Sequence, residues 1–238
     1  MLILARKLWR ARLPSRTLGN LEVQILDISR TDEDIPGWAI PQIYFDYLAT
    51  GDATTMKKVI YHNAMDIVSL AALFKYTVNL LSNPLEYNIE YATDLISLGK
   101  LFEDMGKTEI ATHLYIKGLE HPDVASGNIA TSTYLDALSR LALINKRNQA
   151  YQDAVQVWER AVLHNHLPAH VELAKYYEHK VKDFQKALKW TQTAINFLLA
   201  LDINNASQRL FQKQWLHELR HREQRLLRKI TAQEQQEN

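Results

Sequence analysis

A chain of 238 residues, 47% hydrophobic and 23% charged, has the composition of a folded globular protein and excludes extensive disorder. Its formal net charge of +1 excludes a general attraction to nucleic acid, so such a partner must be recognised by a local charge pattern. The absence of cysteine excludes disulfides, thiolate nucleophiles and cysteine-ligated zinc, and it predicts a reducing, cytoplasmic location.

Residues that break helices are rare, with only seven glycines and six prolines, which predicts a mainly α fold. No apolar run is expected to approach the roughly 18 residues of a membrane helix, so no membrane partner is predicted. The Asn83-Pro84 step disfavours helix and predicts a boundary between a domain at 1–82 and another at 86–203. Helices before this boundary are predicted at 2–11, 15–26, 40–50 and 64–81.

The first predicted helix and the turn after it are basic, and no acid interrupts them. One hypothesis is a lining for a phosphate channel, with these nucleic-acid-binding residues: Arg6, Arg10, Arg12 and Arg16. The alternative is an amphipathic helix that packs on a sheet through Leu2, Leu4, Leu8 and Trp9. If that sheet is absent, the alternative predicts an exposed apolar patch that promotes self-association.

The stretch VIYHNAMDIVSL, residues 59–70, places Tyr61 and His62 about one helical turn before Asp66. One interpretation is a helix start in which Asn63 is the N-cap and Asp66 the third helical residue, where a carboxylate offsets the helix dipole. The other is one edge of an active site. The spacing alone leaves both open.

Small residues recur at fixed offsets between residues 89 and 203, and they alternate with large apolar residues. The pattern resembles the tetratricopeptide repeat, in which each unit is two antiparallel helices. This resemblance implies an α-solenoid of three repeats whose groove binds a protein partner. The small residues that define the repeats are Ala111, Gly118, Ala154, Ala161, Ala174, Ala187 and Ala194.

Residues 204–238 are predicted to form a basic capping helix and a tail. Between Arg209 and Lys229 there are five Arg and two Lys against two Glu, which indicates either a solvated face or a phosphate-binding face. The HELRH segment at 217–221 matches a zinc-protease pattern, but the neighbouring Arg220 and Arg222 would repel a cation. The predicted apolar stripe of this helix is Leu210, Trp215, Leu219, Leu226 and Ile230.

Three blocks in the first 73 residues follow one another in a family order: LARKLWRARLPSRTLGNLEVQIL, DIPGWAIPQIYFDYLATGD and YHNAMDIVSLAAL. Together they resemble the C-terminal part of a YprB-like, ribonuclease H-like 3'-5' exonuclease domain. The resemblance implies that Asp66 is a metal-binding carboxylate of a site for Mg²⁺ or Mn²⁺. It also implies that His62 or Tyr61 orients the attacking water, although the two residue types are swapped relative to both family subgroups.

Family members take their other acids from upstream strands, beginning with a D-x-E motif, and no such motif precedes the matched blocks. The expected fold class is therefore mainly α: a helical remnant of a ribonuclease H-like α/β domain, joined to the tetratricopeptide-like solenoid. We expect a truncated or split nuclease that is inactive alone and whose partner is an upstream nuclease half. The alternative is a non-catalytic adaptor. Turn roles are predicted for Asp32, Glu33 and Asp34.

Overall fold

A computed structural model describes residues 2–30 and 35–237, and the described residues contain helices and no strand. The predicted turn acids Asp32, Glu33 and Asp34 lie outside the described residues. The chain divides into two compact units, one ending at Ile129 and the other beginning at Ala130. The mainly α prediction is confirmed.

Seven helices are described in the first unit, where a short 3₁₀ turn at Gly37–Ala39 precedes the third. The third helix begins with a proline in its first turn and ends at Gly51, whose φ of 73° is easily adopted only by glycine. The helices are α1 (Leu2–Leu8), α2 (Leu18–Ile25), α3 (Ile40–Thr50), α4 (Met56–Ser82), α5 (Ala92–Asp104), α6 (Thr108–Leu119) and α7 (Pro122–Ala125).

Helix α1 packs against α5 in the first unit and does not need a sheet as its packing partner. Leu8 and Trp9 are almost fully buried, α1 contacts α5, and the ring of Trp9 lies 6.1 Å from that of Tyr76. The expectation of an exposed apolar patch is therefore wrong for Leu8 and Trp9, whereas Leu2 and Leu4 are half-buried. Because α1 packs on α5, the compact unit continues to Ile129, beyond the boundary predicted near residue 82. The division into 1–82, 86–203 and 204–238 stays a prediction.

Helix α4 starts eight residues earlier than predicted, so Asn63 and Asp66 lie in its interior. The hypothesis that Asn63 is an N-cap is therefore wrong. By length and composition alone α4 could cross a membrane, since an 18-residue window has a mean hydropathy of 1.4. This corrects the expectation that no apolar run is long enough. The window contains few charged residues, so its mean hydropathy stays high.

Two sides of α4 are apolar. One side is buried in the first unit through Val59, Leu73 and Leu80. The other presents a row of solvent-exposed apolar side chains, which we call the α4 seam: Ile60, Ala64, Ile67, Ala71, Phe74 and Val78. These positions repeat at intervals of three and four residues, so they share one face of the helix over about 27 Å.

The second unit contains five described α-helices and one π-helical turn, Tyr177–Val181. Each helix packs against the next one in the chain. The helices are α8 (Thr131–Arg147), α9 (Tyr151–Val162), α10 (Leu167–Tyr176), α11 (Phe184–Ala200) and α12 (Ala206–Glu237).

The three predicted repeat segments each contain two consecutive helices: α5 with α6, α8 with α9, and α10 with α11. Every small residue that defined the repeats is buried. In α6, a Cβ added at Gly118 would lie 2.9 Å from Cγ1 of Ile96, so only glycine allows this close approach. The tetratricopeptide resemblance and the solenoid stay predictions, because the first pair belongs to a different unit from the other two.

Helix α12 is attached to the second unit by both apolar and ionic contacts. Leu219 belongs to an apolar cluster with Val171 and Leu198, and Leu226 is fully buried. Leu210, predicted on the buried stripe, is instead 58% exposed because it lies on the opposite side of the helix from Leu219.

The ionic attachment of α12 centres on Glu178, whose side chain is fully buried in the π-helical turn. Its carboxylate accepts hydrogen bonds from Arg222 at 2.7 Å, from Arg225 at 2.8 and 2.9 Å, and from Lys229 at 2.9 Å. Three cations of α12 are thereby held by one carboxylate.

Candidate functional site

The candidate site lies on the N-terminal half of α4, where His62 and Asp66 are one helical turn apart. The Nε2 atom of His62 is 3.6 Å from Oδ2 of Asp66. Tyr61 is half-buried beside His62. The water-orienting role of His62 or Tyr61 stays a prediction.

A fully buried carboxylate, Glu22, approaches this site from α2. It is held by Arg30, whose Nε donates to Oε2 at 2.7 Å and whose Nη2 donates to Oε1 at 2.6 Å. This two-point contact matches the planar guanidinium to the planar carboxylate, which makes it one of the stronger ion-pair geometries. Burial of Glu22 is tolerated because its charge is paired and hydrogen-bonded.

The same guanidinium also reaches both predicted site residues on α4. Nη2 of Arg30 donates to Oδ1 of Asp66 at 2.5 Å, and Nη1 lies 3.2 Å from Nδ1 of His62. One cation thus joins two carboxylates and an imidazole from two helices. We call these four residues the Arg30 cluster: Glu22, Arg30, His62 and Asp66.

Sequence reasoning singled out His62 and Asp66 but gave no role to Glu22 or Arg30. One signal for Glu22 was present: it is a charged residue between Leu21 and Ile25 on the apolar face of α2. A charge in that position is almost never fully buried unless it is paired. No comparable signal marked Arg30.

The described side chains around Asp66 do not form a set of ligands for a divalent ion. Asp66 is 37% exposed and is bonded to the chain's own cation. Within residues 2–30 and 35–237, no group of three or more His, Asp or Glu side chains could hold a metal ion. Mg²⁺ is usually bound through one or two carboxylates together with water and substrate phosphates, whereas the carboxylates of Glu22 and Asp66 are both bonded to Arg30. The role of Asp66 as a metal ligand therefore stays a prediction.

Two of the predicted nucleic-acid-binding arginines are engaged within the chain. Arg12 pairs with Asp94 at 2.9 Å and stacks over the ring of Tyr91 at 4.3 Å. Arg16 donates to the carbonyl of Leu13 at 2.5 Å. Burial raises the pKa of Asp94, although Arg12 favours its charged form.

The other two, Arg6 and Arg10, are exposed, and Arg6 also donates to the carbonyl of Arg16 at 3.5 Å. Binding of phosphate by any of the four stays a prediction.

Comparison with known proteins assigns a class to the region that contains the Arg30 cluster. Residues 2–78 match the family model described as RNase_H superfamily. This match supports the resemblance of residues 2–78 to a ribonuclease H-like, nuclease-like family.

A particular relative extends the similarity into the second unit. Over 200 residues, 81% of this chain, the sequence is 32% identical to the uncharacterized protein YprB of Bacillus subtilis (strain 168). The chain spans 45% of the length of that protein. No solved structure matches the chain.

Proposed function

We propose that residues 2–78 are the C-terminal helical part of a ribonuclease H-like 3'-5' exonuclease domain, which hydrolyses nucleic acid phosphodiesters only together with a strand-bearing part. The observation that carries this proposal is the α4 seam. It lies in the region that matches the RNase_H superfamily, yet nothing in the first unit's described residues covers it. The strand-bearing part is a segment outside these 238 residues, in the same protein or in a partner.

The apolar residues on both sides of α4 indicate what kind of structure would cover the α4 seam. A helix with apolar residues on both sides is normally buried between two layers, and in α/β domains one of those layers is a sheet. Ile60, Ile67 and Phe74 are each more than half exposed, which for aligned large side chains is typical of an interaction surface. A sheet from the missing part of the domain would cover them.

A lipid bilayer is a less favourable environment for the exposed side of α4 than a packed β-sheet. The helix contains His62, Asp66 and Lys75, and Asp66 is paired with Arg30 outside the helix. An ionised Asp or Lys near the centre of a bilayer costs about 2.5 to 3.5 kcal/mol. The Arg30 cluster therefore supports packing inside a protein.

The proposal also accounts for the expected inactivity of this chain alone. By resemblance, phosphodiester hydrolysis in this group needs several carboxylates around divalent metals, and the superfamily usually uses such metals. Here the resemblance supplies Asp66 alone, and its carboxylate is engaged by Arg30. The remaining acids would come with the strand-bearing part.

Co-expression of this chain with the part of Bacillus subtilis YprB outside the aligned region tests the proposal. We expect a complex that degrades a labelled single-stranded DNA or RNA 20-mer with Mn²⁺, whereas the chain alone does not. Phe74→Glu should abolish the complex because it places a charge on the α4 seam. Asn79→Glu, on an exposed polar position of α4, should leave the complex intact and serves as the matched control.

Either of two results would contradict the proposal. One is degradation by the chain alone that disappears in Asp66→Asn. The other is the absence of a complex, or a complex that forms equally well with Phe74→Glu.

A non-catalytic adaptor is the second candidate, and one feature of the second unit favours it. A groove between α8, α9 and α10 is lined by Lys146, Trp158 and Glu172, with Lys146 paired to Glu172 at 2.5 Å. Aromatic side chains such as that of Trp158 are enriched at protein-binding surfaces. The adaptor hypothesis predicts no hydrolysis in any combination of chains.

A further inference from the structure

The basic residues of α12 are divided between two faces with different surroundings. Arg222, Arg225 and Lys229 face the second unit and donate to Glu178. These cations are used to attach the helix. These three cations therefore do not contribute to a free positive charge on the solvent-exposed face of α12.

A second set of cations lies on the opposite, solvent-exposed face. Lys213, Arg220 and Arg228 are exposed, and they make no ion pair with the described residues of the chain. His217 and His221 lie between them on the same face. We call these five residues the α12 basic face. It extends over about 22 Å, because the 15 residues from Lys213 to Arg228 rise about 1.5 Å each.

Among the described residues, no acid forms an ion pair with the cations of the α12 basic face. The acids of this stretch are Glu218 and Glu223, and helical geometry places both about 100° or more from the centre of the face. Glu223 accepts a hydrogen bond from Gln192 of α11 at 2.9 Å. The face is therefore a row of cations without counter-charges of its own, in a chain whose net charge is only +1.

We propose that the α12 basic face binds nucleic acid through its phosphates. A row of spaced cations favours a regular polyanion and reads no base sequence. A membrane surface fits less well, because an interfacial helix buries its apolar side in lipid. In α12 the side chains of Leu219 and Leu226 are buried in the protein's own core.

This site goes beyond the proposed function, since it lies outside residues 2–78, in the other compact unit. It also includes the two histidines of the HELRH segment, His217 and His221. Its two histidines point from the same exposed face as the three cations, and the described residues offer no third ligand for a metal.

Fluorescence anisotropy with labelled 20-nucleotide single-stranded DNA and RNA tests the proposal on the full chain. The triple variant Lys213→Gln, Arg220→Gln and Arg228→Gln removes the cations of the face. We expect its affinity to fall at least about tenfold at 50 mM salt, and the slope of log Kd against log salt to decrease by about 2.

A second triple variant controls for net charge: Arg147→Gln, Lys182→Gln and Lys189→Gln. These cations are also exposed and in the second unit, but they lie outside the α12 basic face. We expect this variant to change the affinity less than twofold. Unchanged thermal unfolding of both variants would show that they fold normally.

Three outcomes would overturn the proposal. The first is no binding of either oligonucleotide by the unmodified chain. The second is an equal loss in both triple variants, which would show an effect of net charge. The third is binding to anionic phospholipid vesicles, but to neither oligonucleotide, that the first triple variant abolishes. The test does not use hydrolysis, so it can fail or succeed independently of the nuclease proposal.

Discussion

Replacement of Arg30 by methionine is expected to lower the free energy of unfolding of the first unit by about 3 to 5 kcal/mol. The variant leaves Glu22 fully buried without the guanidinium that binds both of its oxygens. A buried carboxylate without a counter-charge is among the most costly defects in a protein interior. The decrease in the free energy of unfolding should be larger than that caused by replacing any exposed charged residue of the chain.

Hydrogen exchange followed by mass spectrometry on the full chain can locate this effect. Amides of α2 and α4 should lose protection in Arg30→Met, while those of α8 to α12 should not. Adding Glu22→Gln to Arg30→Met should restore part of the stability, because the buried negative charge is then removed as well. Asp66→Asn alone should cost about 1 kcal/mol or less, since Asp66 is partly exposed. Equal costs for Arg30→Met and Asp66→Asn would contradict this account of the cluster.

The second large effect is expected for Glu178→Gln, which should destabilise the second unit by about 3 kcal/mol at neutral pH. Burial acts to raise the pKa of Glu178, but hydrogen bonds from Arg225 and Lys229 outweigh it and lower the pKa from 4.5 to about 2. The charged carboxylate is thus bound more tightly by the folded chain than the protonated one.

The pH dependence follows from the direction of this shift. A carboxyl whose pKa is lowered by folding contributes its full stability above the pKa of the unfolded chain, near 4.5, and loses it as the pH falls towards about 2. The unmodified second unit should therefore lose about 3 kcal/mol over that range, measured by urea unfolding at successive pH values. Glu178→Gln should lack this component.

The matched control is Glu218→Gln, an exposed residue on α12, the helix that carries the three cations, and it should change stability by less than about 0.5 kcal/mol. If Glu178→Gln is as stable as Glu218→Gln at pH 7, the ion pairs of Glu178 with the three cations do not stabilise the second unit.

Local signals made parts of the fold predictable. Helix α3 occupies the predicted residues 40–50, because Pro41 favours its first turn and Gly51 ends it. The start of α4 was missed because Asn63 is of a residue type common at N-caps, which places the predicted start at residue 64.

The candidate site was only half predictable, for a different reason. His62 and Asp66 share a helical spacing that can be seen in the sequence. The contact between Glu22 and Arg30 depends instead on how the chain turns after α2, where Asp27 has a φ of 53°. Left-handed backbone at a non-glycine residue has no reliable sequence signal. The contact between Glu178 and Arg222 could not be predicted either, because 44 residues separate the two along the chain.

Isothermal titration of Mn²⁺ into the full chain and into Asp66→Asn tests most directly whether the chain's own arginine, and not a divalent ion, neutralises Asp66. The Arg30 cluster predicts no saturable binding that distinguishes the two proteins. Stoichiometric binding by the unmodified chain that disappears in Asp66→Asn would contradict it, and would show that the chain carries a metal site without a strand-bearing part.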